Sequence, residues 1–167
     1  MHAEPPNASP APFPEAAAPP DLMGALSDIG LEQMLEPDLT PAQRDAMYRR
    51  VWQSIQAGDY AGAVDEAFAL ADSDPWERDY LLALACCLHH LAEYEQAAQM
   101  YGLAFLLDAT DALCAYRIGE CLGALEHWAE AREAFESAIR LSWLAPEQPQ
   151  VREQAQQRLD ELSSVGA

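Results

Sequence analysis

Apolar positions along the chain recur at a spacing that predicts short helices arranged in pairs. Within residues 78–107, apolar side chains stand three and four residues apart, first over 78–91 and again over 95–107. The same pattern occurs over 41–57 and 61–73, and over 112–125 and 129–142. A last helix is predicted over 150–162, with one apolar stripe. The pattern therefore predicts an all-α protein of three tandem helical hairpins and a C-terminal capping helix.

The three hairpins are copies of one unit, because the chain repeats itself every 34 residues. An aromatic residue recurs at positions 60, 94 and 128, and alanine recurs at positions 63, 97 and 131. A small residue at this place lets the two helices of a hairpin approach closely. The period and the pattern are those of the tetratricopeptide repeat. Stacked repeats of this kind curve around a concave face, which is the expected working surface.

Local signals mark where the repeats begin and end. Thr40, Pro41 and Gln43 have the spacing of a capping box with proline at the first helical position. Gly58 and the pair Asp74-Pro75 are helix-ending signals. We therefore expect three tetratricopeptide repeats over residues 41–145. A C-terminal helix over 147–163 would cap the array with a polar outer face.

The residues before the repeats divide into two segments. Residues 1–20 are rich in proline and alanine and offer almost nothing to a core, which predicts a disordered tail. Residues 21–36 have apolar side chains at helical spacing, although Gly24 and Gly30 weaken a helix there. This N-terminal helical segment is most simply a cap on the first hairpin. The alternative is a contact in a homodimer.

Composition restricts the classes of partner. Half of the residues are apolar, which suffices for the core of one small domain. The formal net charge is −19, from 28 acidic residues against nine basic ones, and all nine are arginine. Such a surface repels phosphate backbones and anionic lipid, so we expect neither nucleic-acid binding nor membrane insertion. The sequence also lacks an apolar run long enough for a membrane span and the pattern of a signal peptide.

The sequence offers little for catalysis or metal binding. The four cysteines have no CxxC spacing and stand where helices place small apolar residues, which indicates a reduced, cytoplasmic chain. Cys86, His89 and His90 lie on one helix, but three such groups there do not make a four-ligand site. No nucleophile elbow and no phosphate-binding loop is present. We expect no enzyme, no metal and no cofactor.

The groove is predicted from the first helix of each hairpin, because these helices line the concave face of a tetratricopeptide array. The positions that point inward are mostly apolar and aromatic, and such a stripe on an acidic protein marks an interaction site. The other interpretation is that these side chains pack against the N-terminal segment. The predicted groove residues are Tyr48, Arg49, Trp52, Ile55, Gln56, Leu82, Cys86, His89, Tyr116 and Glu120.

Several segments resemble one known family. They are residues 79–94 (DYLLALACCLHHLAEY), Tyr101-Gly102, Leu107-Asp108 and the run Gly119-Glu-Cys-Leu122. Together they are similar to the class II chaperones of type III secretion, which hold translocator proteins. The resemblance covers roughly residues 21–162 and includes the plan of an N-terminal helix, three repeats and a C-terminal helix.

The resemblance implies a function. In that family, aromatic residues of the first repeat helix line a groove that takes an extended translocator segment of the P-x-L-x-x-P kind. Tyr48 and Trp52 fall on two of these positions, whereas Ile55 stands where a third tyrosine is usual and Arg117 where histidine is frequent. The resemblance implies one or two hydrophobic translocators as partners, kept soluble in the bacterial cytoplasm until export.

Two other functions are open at this point. A general tetratricopeptide adaptor that clamps a C-terminal carboxylate needs Lys, Arg and Asn converging in the groove. The predicted groove has no Lys or Asn, and Arg49 and Arg117 are the cations expected in it. A chaperone of a secretion needle subunit is the nearer rival, since it is a related repeat protein.

Overall fold

The structure, a computed structural model, describes residues 39–144 and 149–165. The predicted tail (1–20) and N-terminal helical segment (21–36) lie outside these residues. The described part holds seven helices and no strand. The helices are α1 (Pro41–Gln56), α2 (Tyr60–Ser73), α3 (Arg78–His90), α4 (Tyr94–Leu107), α5 (Ala112–Ala124), α6 (Trp128–Ser142) and α7 (Pro149–Val165). The predicted all-α fold of helical hairpins with a C-terminal helix is confirmed.

The first helix begins as its sequence predicts. The Thr40 hydroxyl accepts a hydrogen bond from the Gln43 backbone N–H at 3.3 Å, and the Gln43 side-chain oxygen accepts one from the Thr40 N–H at 2.8 Å. Pro41 follows the cap directly, where a missing N–H leaves no hydrogen bond unmade. The capping box therefore sets where α1 starts, and with it the register of the first groove residues.

One left-handed turn ends the first helix of every hairpin. Gly58, Ala92 and Glu126 stand 34 residues apart and have φ angles of 77°, 62° and 62°. In each copy the next residue donates its N–H to the carbonyl five residues back at 2.9 Å, which is the Schellman arrangement. Only the first copy has glycine, the residue that adopts this φ without steric strain. The repeat thus preserves a backbone shape where the residue type changes.

Small residues bring the helices of each hairpin together. Ala63, Ala97 and Ala131 are 2%, 0% and 0% exposed. The buried positions one and two turns later include Tyr101 and Phe135. Close packing at alanine and larger side chains further along explain how the same 34-residue unit stacks three times.

The described core has two clusters that share a side chain. One is formed mainly by residues of α1 to α4, and the other by residues of α5 to α7. Phe105, near the end of α4, packs against both clusters. In α7, Val151 and Ala155 are 2% and 0% exposed, so the first half of the predicted apolar stripe is buried, while Leu159 and Leu162 are half-buried and pack on the second cluster. Among the described residues, no helix combines the length and the apolar character that crossing a membrane requires.

Candidate partner-binding site

The first helices of successive hairpins are joined by side-chain contacts. The rings of Tyr48 (α1) and Tyr80 (α3) are 5.5 Å apart. His89 Nδ1 (α3) lies 3.8 Å from Cys121 Sγ (α5). Because these contacts link neighbouring helices in turn, α1, α3 and α5 form one layer. The predicted groove residues all belong to this layer.

In α1 the predicted groove residues differ in exposure. Trp52 is 49% exposed, although it is one of the largest apolar side chains of the protein. Tyr48 and Ile55 are half-buried and pack against the core, while Gln56 and Arg49 are exposed. The spacing of four residues between Tyr48 and Trp52 places them on the same helix face. This helix therefore presents an aromatic surface that nothing in the described structure covers completely.

In α3 the predicted residues Leu82, Cys86 and His89 are half-buried. The His89 ring meets Tyr94 edge-on at 5.7 Å and Tyr101 at 6.1 Å. Burial lowers the pKa of His89 below its ordinary value, against the opposing effect of the Glu120 charge. A neutral imidazole among aromatic rings makes this part of the surface apolar at neutral pH.

In α5 the two predicted residues are engaged within the protein. Tyr116 is 5% exposed and donates a hydrogen bond from its hydroxyl to Glu120 at 2.9 Å. Glu120 also accepts from Arg117 at 2.7 Å and from Arg158 of α7 at 3.3 Å. Tyr116 therefore offers little surface to a partner, and Glu120 already has three donors.

These donors keep the Glu120 side chain ionised. Burial opposes its ionisation, but the Tyr116 hydrogen bond and the Arg117 charge outweigh burial, and the pKa of Glu120 lies below its ordinary value. Glu120 is consequently a carboxylate at neutral pH. Its bond to Arg158 spans 38 residues of sequence and attaches the C-terminal helix to the third hairpin.

The cysteines and histidines do not form a reactive centre. All four cysteines are free thiols, and three of them are buried. Burial raises the pKa of Cys114 and of Cys121 to about 12, so both remain protonated at neutral pH. Among the described residues, no three His, Cys, Asp or Glu side chains converge as a metal site would require.

An open pocket with a volume of ≈ 400 Å³ lies beside the groove. The sequence did not indicate it. It lies where α5, α6 and α7 meet the end of α3. Its walls include the groove residues His89 and Glu120, together with Trp128, Arg158 and Leu162. The glycines at 119 and 123 were a sequence signal for open space on α5, but only the packing of α7 makes them part of a cavity.

Large apolar side chains are also exposed away from the groove. Phe68 of α2, Trp76 before α3 and Leu106 of α4 are 62%, 79% and 78% exposed. Phe68 and Leu106 lie on the second helices of hairpins, and Trp76 lies in a connecting loop. The repeat pattern does not require apolar residues at these outward positions. Exposure of an aromatic side chain therefore does not by itself distinguish the groove.

The sequence matches no protein-family model. A comparison with curated protein sequences gives no significant match.

Solved structures do match. PcrH of Pseudomonas aeruginosa, in complex with the chaperone-binding region of PopD, has a TM-score of 0.73 and 25% identity, over 80% of this chain and 100% of PcrH. SycD, the type III secretion translocator chaperone of Yersinia enterocolitica, with a peptide of the translocator YopD, has a TM-score of 0.72 and 20% identity, over 78% of this chain and 99% of SycD. SycD has also been solved as an alternative dimer.

A third similar structure is the first tetratricopeptide domain of Spaghetti bound to the HSP90 peptide SRMEEVD. Its TM-score is 0.65 and its identity 20%, over 76% of this chain and 95% of that domain. This likeness and that to SycD support the tetratricopeptide-type fold. The similarity to translocator chaperones that the sequence motifs indicated is confirmed by PcrH.

Proposed function

We propose that this protein is a chaperone of type III secretion that binds an extended segment of a translocator in its groove and keeps the translocator soluble before export. The observation that carries the proposal is the match to PcrH, which extends over the whole of that chain and was solved with the chaperone-binding region of PopD. The half-exposed face of α1, with Tyr48 and Trp52, is the surface that supports it from within this structure.

The chemistry of the groove suits an apolar segment. Trp52 is half-exposed, Ile55 and Leu82 are half-buried, and neutral His89 continues the same surface. An extended segment that contains proline loses little conformational entropy on binding, so a few apolar contacts hold it. Translocators are hydrophobic proteins, and covering such a segment would oppose their premature association.

An adaptor that clamps a terminal carboxylate is less well supported. The Arg117 guanidinium is bonded to Glu120 at 2.7 Å, and Arg49 Nε donates to the backbone oxygen of Asp45 at 3.2 Å. Both arginines are thus already engaged in hydrogen bonds within the protein. The net charge of −19 would also repel an acidic peptide such as the one bound by Spaghetti.

We infer that the protein has no enzymatic role and acts in the bacterial cytoplasm. The similar structures are chaperones, and the thiols of this chain are protonated at neutral pH. A chaperone that meets its partner before export must be in the compartment where the partner is made. Self-association through residues 21–36 is part of the proposal, and the alternative dimer of SycD supports testing it.

The test is co-purification from the native host. The tagged protein, expressed at its natural level, is isolated in the absence of detergent, and the bound proteins are identified by mass spectrometry. We expect a translocator in stoichiometric amount, and we expect that translocator to become insoluble when the chaperone is deleted. Recovery of the needle subunit instead would favour the rival function, and recovery of neither would contradict the proposal.

A further inference from the structure

The four most exposed large apolar side chains of the described chain stand where the second helices of the hairpins end. Trp76 lies in the loop after α2, and Leu106 lies in the last turn of α4. Trp143 and Leu144 follow α6 directly. Each of the four is between 68% and 79% exposed. We call this row of side chains the apolar edge; it is separate from the groove, which is formed by the first helices.

The repeat and one ion pair align these helix ends along the array. Leu144 follows Trp76 by two periods of 34 residues, so the two occupy equivalent positions in the third and first hairpins. Leu106 lies one helical turn before the equivalent position of the second hairpin. Arg78, two residues after Trp76, pairs with Asp111, which caps α5. This ion pair joins the loop after α2 to the loop after α4, so the apolar side chains beside them belong to one surface.

The loops of the apolar edge are strongly acidic. Residues 72–79 contain four carboxylates and residues 108–111 contain two, against a single arginine. Asp74 pairs with Arg44 and Asp111 with Arg78, which leaves an excess of negative charge. A second copy of the chain, with its net charge of −19, would be repelled here, and so would anionic lipid. The charge favours a partner whose apolar side chains are flanked by lysine or arginine.

An arginine of the chain itself already binds one ring of the apolar edge. The Arg152 guanidinium lies over the Trp143 indole, 4.0 Å from its centroid, where the ring attracts cations. Among the described residues, no cation lies over the Trp76 ring. An open cavity of ≈ 560 Å³ lies beside the Trp143 and Arg152 pair, with Glu153 and Asp160 in its wall. Exposed indoles next to carboxylates are suited to basic side chains of a partner.

We propose that the apolar edge is a second docking surface, which binds a basic amphipathic helix of a protein other than the translocator. Neighbouring hairpins stack at about the 9 Å spacing of packed helices, so the row from Trp76 to Leu144 is roughly 20 Å long. A helix presents an apolar side chain on the same face every seven residues, or about 10.5 Å, which is close to this spacing. A partner helix of roughly 13 residues therefore covers the row. The groove and the edge share no residue, so both can be occupied at once.

Tryptophan signals report which surface a ligand occupies, without any translocator present. The chain has four tryptophans, and each gives its own indole N–H resonance in a nitrogen-15 NMR spectrum. Trp76 and Trp143 report on the apolar edge, Trp52 on the groove and Trp128 on the pocket beside it. The probe is a synthetic peptide of about 18 residues of leucine and lysine, with the leucines three and four apart. One control peptide has the same composition with the leucines scattered around the helix, and another has glutamate in place of lysine.

We expect the patterned leucine-lysine peptide to shift the Trp76 and Trp143 signals and to leave those of Trp52 and Trp128 in place. Neither control peptide should shift them. Shifts at Trp52 or Trp128 instead, no shift at all, or equal shifts with the scattered peptide would overturn the inference.

Other occupants of the edge are tested by the same two signals. Movement of the Trp76 and Trp143 signals with protein concentration alone would assign the edge to a second copy of the chain. Movement with phosphatidylcholine vesicles would assign it to a membrane, and movement on loading with the co-purified translocator would show that the translocator covers it. Each of these three results overturns the inference.

Two variants test the same point by affinity. Trp76→Ala combined with Leu106→Ala removes two side chains of the edge, whereas Trp52→Ala removes a large exposed side chain from the groove. We expect the double variant to bind the patterned peptide about tenfold more weakly or worse, and Trp52→Ala to bind it like the parent. A parent-like circular-dichroism spectrum shows that the double variant folds. Equal affinity of all three proteins for the patterned peptide would overturn the inference.

Discussion

At the scale of single residues, neighbours decide what a groove position does. Trp52 and Tyr116 were both predicted to line the groove, yet Trp52 is 49% exposed and Tyr116 only 5%. The difference arises because Tyr116 packs on the Phe135 ring at 5.7 Å and bonds to Glu120. Trp52 is therefore the better place for a mutational test than Tyr116.

Trp52→Ala should weaken binding of the translocator segment. Burying an aromatic side chain contributes roughly 1.5 to 3 kcal/mol, so the loss is about tenfold or more in affinity. Adding Tyr48→Ala should weaken binding further, with some loss of stability because Tyr48 packs on Tyr80. The measurement is titration calorimetry with a translocator peptide at low and high salt, and salt should matter less than either truncation.

The control for this prediction is Trp76→Ala. Trp76 is 79% exposed but lies in the loop before α3, outside the groove. Its truncation removes the same amount of side chain and should leave affinity unchanged. Equal weakening by Trp52→Ala and Trp76→Ala, or by neither, would show that the segment binds elsewhere.

Glu120→Gln should destabilise the protein in a pH-dependent way. The substitution removes the charge from the hydrogen bonds to Arg117 and Arg158, which lowers the free energy of unfolding by about 1 to 3 kcal/mol at neutral pH. Because the folded pKa of Glu120 is below its ordinary value of 4.5, the stabilisation is present above that pH and is lost as the pH falls through the folded pKa. The free energies of unfolding of parent and variant should therefore converge in acid.

Urea unfolding at about pH 7 and about pH 3 measures this difference, which should be larger at the first pH than at the second. Glu66→Gln is the matched control, because Glu66 pairs with Arg50 at 3.0 Å on the exposed surface. Its substitution should change the free energy of unfolding by less than about 1 kcal/mol. A Glu120→Gln effect of the same size at both pH values would show that the charge of Glu120 is not what stabilises this junction.

At the scale of elements, the repeated left-handed turn has a measurable energy. Ala92 and Glu126 hold φ angles of 62° without being glycine. A residue with a Cβ atom in this conformation is strained by roughly 1 to 2 kcal/mol. The turn persists because the hairpin on either side determines its path, so strain at two of three copies is offset by packing.

Exchanging residue types at the turn should therefore change stability in opposite directions. Gly58→Ala should lower the free energy of unfolding by about 1 kcal/mol, and Ala92→Gly should raise it by up to about 1 kcal/mol. Both are measured by denaturant unfolding. If both substitutions destabilise the protein, helix propensity outweighs the turn and the argument about strain is wrong.

The contact between the two helices of a hairpin is sensitive to size. Ala97 is fully buried where α3 and α4 approach, so Ala97→Leu should lower the free energy of unfolding by about 1 to 3 kcal/mol through overpacking. Ala129→Leu, at an exposed position of α6, is the control and should have little effect. A stable Ala97→Leu variant would indicate that the hairpin relaxes around the larger side chain.

At the scale of the whole molecule, the stacked helices of the described chain contain two core clusters. Phe105 packs on both, so the boundary between them is a packing contact rather than a linker. The ion pair between Glu120 and Arg158 adds a second attachment of α7. The last hairpin and α7 therefore hold the walls of the pocket in place.

The composition of residues 1–20 leads to a prediction about the whole chain. Because they lack core-forming side chains, we expect their deletion to leave the thermal midpoint and translocator binding unchanged. Differential scanning calorimetry and peptide titration on the shortened chain provide the measurement. A drop of several degrees in the midpoint would show that these residues pack on the domain.

The amino-acid sequence by itself determined what depends on short spacings. Apolar residues three and four apart predicted the helices, and the period of 34 predicted the hairpins. The residues Thr40, Pro41 and Gln43 predicted the start of α1. The helices and the cap follow from interactions between residues that are close along the chain, and the hairpins were predictable because one unit recurs. The alanines at the helix contacts were predictable for the same reason, since they recur in each copy.

Tertiary structure alone decided which predicted site residues remain available to a partner. The burial of Tyr116 depends on Phe135, the pairing of Glu120 depends on Arg158, and the pocket depends on α7 packing beside Gly119 and Gly123. These partners are 19 to 38 residues away along the chain from the groups they affect. Helical periodicity indicates which face of a helix a residue occupies, but the side chains opposite that face come from other helices. Which side chains lie opposite a given face therefore depends on how the hairpins stack.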